Sequence, residues 1–197
     1  MFNRKKGFTL VELLIVIVVI GILSAMMMLS STEAVSSAKA NNVISNIHNL
    51  KTATLAFYVD NIDKITHTKN GSNEYYWIKD PENKYAHMQN LAHNYPELIT
   101  KYLSNGDSIK INLGDSNTTA WTGNTNECDG YAVIDGQGGP NGGKMSEWYI
   151  AYGLPKTNAK LKAKLQSRAK SAGLLQNAST SYNGGDWLYV KVLDLSE

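Results

Sequence analysis

Gly138, Gly143 and Lys144 are spaced as G-x-x-x-x-G-K, a pattern whose backbone amides and lysine can cradle phosphates. Such a loop also needs Ser or Thr next, for Mg²⁺, and a helix opening there. Met145 follows instead, and then a strand-like run, so nucleotide binding is rejected. His48, His67, His87 and His93 form no H-E-x-x-H pattern and have no paired cysteines, as a zinc site would require. No G-x-S-x-G stands ready to activate a serine. Asp129, Asp135 and the oxygen-rich glycine loop that follows are a candidate Ca²⁺ site, since that ion takes carboxylate and carbonyl oxygens. The spacing is not that of an EF-hand, and a plain turn is the alternative. No constellation supports an enzyme, and no cofactor is expected beyond that candidate calcium loop.

Two further groups of residues invite a functional reading. Lys160, Lys162, Lys164, Arg168 and Lys170 follow one another with no acid between Asn158 and Gly173. They form either a solvated helix face, its later cations favourable at the helix C-terminus, or a docking face for an anionic partner such as DNA or a cell-surface polymer. Base-stacking aromatics are missing from that helix, which argues against specific single-strand binding. The net charge of +2 is too small to imply nucleic acid by itself. Cys128 is the sole cysteine, so no internal disulfide forms. It is read as a small, partly buried side chain rather than a reactive thiol.

One carboxylate, Glu12, lies inside an apolar run from Phe8 to Leu29, and Arg4-Lys5-Lys6 stands just before that run. The run is about the 20 residues that cross a bilayer core as a helix. The basic cluster keeps its own end in the cytoplasm, so the rest of the chain is exported. A secretory signal peptide cleaved near Leu23-Ser24-Ala25 is one reading, although that site is imperfect and an early acid is unusual. A plain anchor is another, but it has no use for a carboxylate that costs several kcal/mol at depth.

The third reading comes from the residues in register. Lys6-Gly7-Phe8-Thr9-Leu10-Val11-Glu12-Leu13-Leu14 resembles the type III signal sequence of type IV pilins and pseudopilins. The resemblance implies that a dedicated prepilin peptidase cuts between Gly7 and Phe8, and that the new Phe8 amine is methylated. It implies that the apolar helix stays on the mature protein, and that Glu12 serves filament assembly by meeting the Phe8 amine of a neighbouring subunit. Many Gram-negative pilins close a C-terminal loop with a disulfide, and this chain departs from that pattern. Some pilins unwind near the position of Gly21, usually with a proline further on; here Leu29 stands in its place. A small residue for close helix contact is the other reading of Gly21.

Past Leu29 the chain turns amphipathic. Val35, Val43, Ile47, Leu50, Thr54 and Phe57 lie close to one stripe, with Ile44, Leu55, Tyr58 and Ile62 beside it. The spacing predicts one helix from Phe8 to about Asn61, on the order of 80 Å long. Between residues 63 and 128 the pattern is weak. Tyr75–Ile78 and Lys110–Leu113 are candidate short strands, Pro96–Leu103 a short helix, and Gly114–Asn126 a loop. Strands are predicted at Gly130–Asp135, Glu147–Tyr152 and Trp187–Leu193. A helix capped by Asn158 and ended by Gly173 carries Leu161, Leu165, Ala169 and Ala172 on one face. The segment from Asp129 to Tyr152 also resembles a recurrent pilin pattern of strand, Asp-Gly, Gly-Pro-Asn turn and aromatic strand.

Together these give an α+β, type IV pilin-like fold: a long N-terminal helix packed on a small antiparallel β-sheet. Residues 1–7 are the expected leader. Residues 8–62 are the helix, with 8–29 as membrane span and filament core and 30–62 as its amphipathic half. Residues 63–197 are the exported globular part. The expected function is a structural subunit that homopolymerises through this helix into a type IV pilus or pilus-like filament. The alternatives are a pseudopilin of a type II secretion system and an anchored binding domain that does not polymerise. The resemblance implies a peptidase/methylase and the assembly machinery as partners. It places the chain in the inner membrane before assembly and in a surface or periplasmic filament afterwards.

Overall fold

Thr9 starts the first helix. Its hydroxyl accepts the Glu12 N–H at 3.3 Å, while the Glu12 carboxylate accepts the Thr9 N–H at 2.8 Å, a reciprocal cap that satisfies two backbone donors. In the computed structural model, which describes residues 7–70, 73–95, 97–103, 130–136, 139–154 and 158–196, helix α1 then runs unbroken from Leu10 to Asp60. Its 51 residues span about 77 Å at 1.5 Å each. The helix thus opens two residues later than the apolar pattern suggests, because Thr9 takes the capping position. It passes through Gly21 without interruption.

A short 3₁₀ turn (Ile62–Lys64) leads into strands β1 (Ile65–Asn70), β2 (Asn73–Lys79) and β3 (Tyr85–Ala86), which pair antiparallel in that order. Helices α2 (Met88–Asn94) and α3 (Glu97–Thr100) follow. The second sheet is formed by β4 (Gly130–Asp135), β5 (Glu147–Gly153) and β6 (Trp187–Asp194), antiparallel with β5 central. Between β5 and β6 lie α4 (Ala159–Ser167) and α5 (Ala169–Ala172). The expectations for Lys110–Leu113, for the Gly114–Asn126 loop and for Cys128 fall outside the described residues.

The second sheet is covered on both faces, so every residue of β4 and β5 is buried. One face carries Tyr131, Val133, Trp148, Ile150, Tyr152, Leu188 and Val190 onto α1. There α1 supplies Ala40, Val43, Ile47, Leu50, Ala53 and Phe57, spaced three or four apart. Tyr58 meets Trp148 edge-on at 5.9 Å, and the Asn46 amide donates to the Tyr131 hydroxyl at 3.1 Å. The other face buries Ala132, Ile134, Tyr149 and Ala151 beneath Leu175 and Tyr189. Val35 and Ile62, grouped with the stripe in the sequence, are 55% and 58% exposed. Val35 precedes the first buried position, Ala40, and Ile62 lies beyond the helix end.

The glycine-rich connection from β4 to β5 is set by close approach. A Cβ on Gly136 would stand 1.8 Å from the Lys144 carbonyl oxygen, and Gly142 adopts φ +83. The helix expected between Asn158 and Gly173 is divided at Arg168, whose φ and ψ of −105 and 1 close α4. Asn158 caps α4 through the Leu161 N–H, and Gly173 ends α5 in the left-handed region.

Leu50→Ala is expected to cost about 2–5 kcal/mol in urea unfolding of the chain held in mild detergent, since Leu50 is fully buried. Val35→Ala is expected to stay within about 0.5 kcal/mol. Equal losses would mean that the helix packs on the sheet in another register.

Candidate functional site

The N-terminal half of α1 is apolar on every side. Phe8 is 86% exposed, and the large side chains from Leu10 to Met27 are 48% to 82% exposed. The helix holds an 18-residue window long and apolar enough to cross a membrane, none of it buried within the chain. By length and composition, a surface of this kind fits a membrane span. Glu12 is the exception in composition. Its Oε2 accepts both the N–H and the hydroxyl of Thr9, each at 2.8 Å. These bonds compensate part of the cost of placing a carboxylate among apolar groups, and the helix N-terminus adds to them. Gly7 and Phe8 lie just outside the helix, and both are exposed. Arg4, Lys5 and Lys6 are outside the described residues.

The other candidate residues do not gather in one place. Asp135 is buried, and its Oδ2 lies 3.3 Å from His87 Nδ1, with the His87 ring against Trp77. Asp129 is outside the described residues. Among the described residues no cluster of three His, Cys, Asp or Glu is placed to hold a metal ion. His67 stacks on Tyr76 at 4.8 Å, and the chain after Lys144 enters β5 rather than a helix.

The five basic residues of α4, α5 and the Arg168 junction between them are divided by their contacts. Lys162 is paired with Asp186 and is largely covered. Lys160 Nζ donates to Thr32 Oγ1 at 2.9 Å. Arg168 Nη1 donates to Asn41 Oδ1 at 2.7 Å and to the Ser37 carbonyl at 3.3 Å. Lys164 stands 3.7 Å from Glu33, and Lys170 is exposed on α5. Three of the five therefore reach α1 just beyond its apolar half.

Residues 2–28 match the family model of the prokaryotic N-terminal methylation motif. The N-terminal segment is accordingly a type IV pilin-like signal and methylation site. The long helix and the small antiparallel sheets are consistent with a type IV pilin-like fold, and the motif supports a pilin- or pseudopilin-like protein. No curated protein and no solved structure matches the chain.

One polar cluster was not foreseen from the sequence. On the outer face of the second sheet, Glu147 accepts from Lys191 at 2.6 Å, from the Lys144 N–H at 2.9 Å and from the Tyr149 hydroxyl. Lys191 also reaches Asp194 at 3.0 Å, which binds Ser146 and Ser196. Period-2 alternation puts Glu147 and Tyr149 on one face. A register shift between Trp148 and Tyr149 sets Lys191 opposite Tyr149. Burial raises the Glu147 carboxyl, but bonds from Lys191, Tyr149 and the Lys144 N–H outweigh it and leave it below its ordinary value. Burial likewise raises Asp194, and bonds from Ser196, Lys191 and Ser146 hold it well below. Burial lowers Lys191, and its two carboxylates raise it overall.

Carboxyls depressed in the native state stabilise it above their unfolded values near about 4, and that contribution is lost as pH falls through the native values. Raised Lys191 stabilises below about 10.4 and loses its contribution above the native value. Urea midpoints are therefore expected to fall between about pH 5 and about pH 2. Lys191→Met is expected to lower the neutral midpoint and to shrink the acid-dependent fall. An unchanged acid dependence in that variant would remove the cluster as its source.

Proposed function

We propose that this chain is the subunit of a type IV pilus or pilus-like filament that homopolymerises through the apolar half of α1. The supporting observation is that this half is uncovered in the chain while carrying Glu12 one helical turn beyond Phe8. In this reading Arg4, Lys5 and Lys6 hold the leader in the cytoplasm and a prepilin peptidase cleaves between Gly7 and Phe8. The Phe8 amine is then methylated, and residues 8–29 cross the membrane until assembly machinery extracts them. Cleavage makes Phe8 the N-terminus and so creates a cation at the depth of the Glu12 carboxylate. Thr9 supplies that carboxylate with hydrogen bonds but no counter-charge. An ammonium from a neighbouring subunit supplies the charge, and so sets the axial register between helices.

Intact-mass analysis is expected to show a mature chain beginning at methylated Phe8; a chain beginning at Met1 or near Met26 would overturn the processing. Glu12→Ala and Glu12→Leu are expected to insert and to be cleaved like the wild type, yet to be lost from sheared surface fractions. A pair worth only about 1.4 kcal/mol per subunit shifts each addition step tenfold. Normal filament yield from both variants would overturn the role of Glu12. Glu12→Leu is the sharper case, because it suits lipid better than glutamate does.

A further inference from the structure

The cations of α4 crowd the end of the domain that joins the apolar run. Lys160 touches Thr32, Lys164 faces Glu33, and Arg168 reaches Ser37 and Asn41. Helix α4 therefore runs along α1 in the same direction, with its N-terminal turn nearest the membrane half. Thr32 follows Leu29 by three positions, about 4.5 Å along the helix. A headgroup layer is about 5–7 Å deep. When α1 crosses a bilayer, Lys160 stands at headgroup depth, and Lys164 within the next turn.

Among the described residues, the charge at this end is not neutralised from within. Lys160 and Arg168 spend their bonds on a hydroxyl, an amide and a carbonyl, all uncharged. Lys164 and Glu33 form a loose pair with both side chains wet, 34% and 67% exposed. Among the described residues, two carboxylates, Glu33 and Asp186, pair with the five cations between Lys160 and Lys170. The outer face of α4 exposes Ala159, Lys160, Ala163, Gln166 and Ser167, with no acid and no bulky side chain to hold a surface away.

We propose that, while α1 is in the bilayer, Lys160 and Lys164 bind the phosphates of anionic lipid headgroups, and that α4 thereby fixes the lean of the domain against the membrane before assembly. The inference rests on the reading of α1 as a membrane span. A full-length Cys128→Ser chain, labelled with a fluorophore at Ala163→Cys, is reconstituted into two kinds of vesicle. One is phosphatidylcholine alone and the other is phosphatidylcholine with phosphatidylglycerol; both carry a lipid with a nitroxide headgroup. The expected result is stronger quenching in the phosphatidylglycerol vesicles, corresponding to a docked population that falls about fivefold for each of the two lysines neutralised. Lys160→Gln with Lys164→Gln is expected to bring quenching down to the phosphatidylcholine level, and added salt to act in the same direction. Lys160→Arg with Lys164→Arg is expected to retain it, which separates charge from a loss of packing on α1.

Equal quenching in the two vesicle types, with the chain floating with both, overturns the inference alone. Failure to float with either overturns the membrane reading of α1 and the inference with it. Loss of quenching when duplex DNA is added at equimolar concentration would assign this face to nucleic acid instead.

Discussion

Everything in this molecule depends on one helix serving two solvents. From Ala40 to Phe57, α1 presents a stripe that is almost fully buried against the second sheet. From Leu10 to Met27 it presents apolar side chains in every direction and buries none of them within the chain. The first arrangement is ordinary amphipathic packing, driven by removal of apolar surface from water. Beyond its first turn the second satisfies its backbone groups internally, as a helix in hydrocarbon must. No glycine or proline interrupts α1 between Gly21 and its end at Asp60, so the two regimes meet without a joint.

The sheet is built to receive that stripe. Its central strand is buried along its whole length because α1 covers one face and Leu175 packs on the other. Leu175 is tied down by exchanging backbone bonds with Tyr189 at 2.7 and 2.9 Å. At the edge of the same face the charges of Glu147, Lys191 and Asp194 gather the β4–β5 connection, β5 and β6 into one network. Such a network fixes geometry more than it adds stability, since partly buried ions give back much of their attraction in lost hydration.

The sequence was most legible where periodicity was strong. The α+β class, the long N-terminal helix and the strands at Gly130–Asp135, Glu147–Gly153 and Trp187–Asp194 all follow from apolar patterning and flanking glycines. Strand β1 was missed because Ile65 is the one apolar residue in Ile65–Asn70, and the strand is largely exposed. The Asn70-Gly71 turn signal before Tyr75–Ile78 was the available clue to its pairing. Helix α2 was missed because seven residues carry too few apolar positions, Met88, Leu91 and Ala92, to outweigh chance. Of the N-terminal site, the order Gly7-Phe8-Thr9-Leu10-Val11-Glu12 was readable at once. The bonds between Glu12 and Thr9 were not, although a Thr with Glu three residues later is the signature of a capping box. The partners of Lys160, Lys162 and Arg168 lie 24 to 131 positions away in the chain, and no local pattern reveals pairs at that separation.

An unbroken α1 has a mechanical consequence. A rigid helix behaves as a screw thread: a shift of one residue along it advances about 1.5 Å and turns about 100°. Because Asn46, Ile47 and Leu50 hold the sheet directly on that thread, the sheet and the apolar end advance and turn as one body. A side-chain contact that held one position of the apolar end would fix its depth and, with it, the compass direction of the sheet. Neighbouring copies joined through the same pair of positions would then display the same surface outward without needing any contact between their sheets.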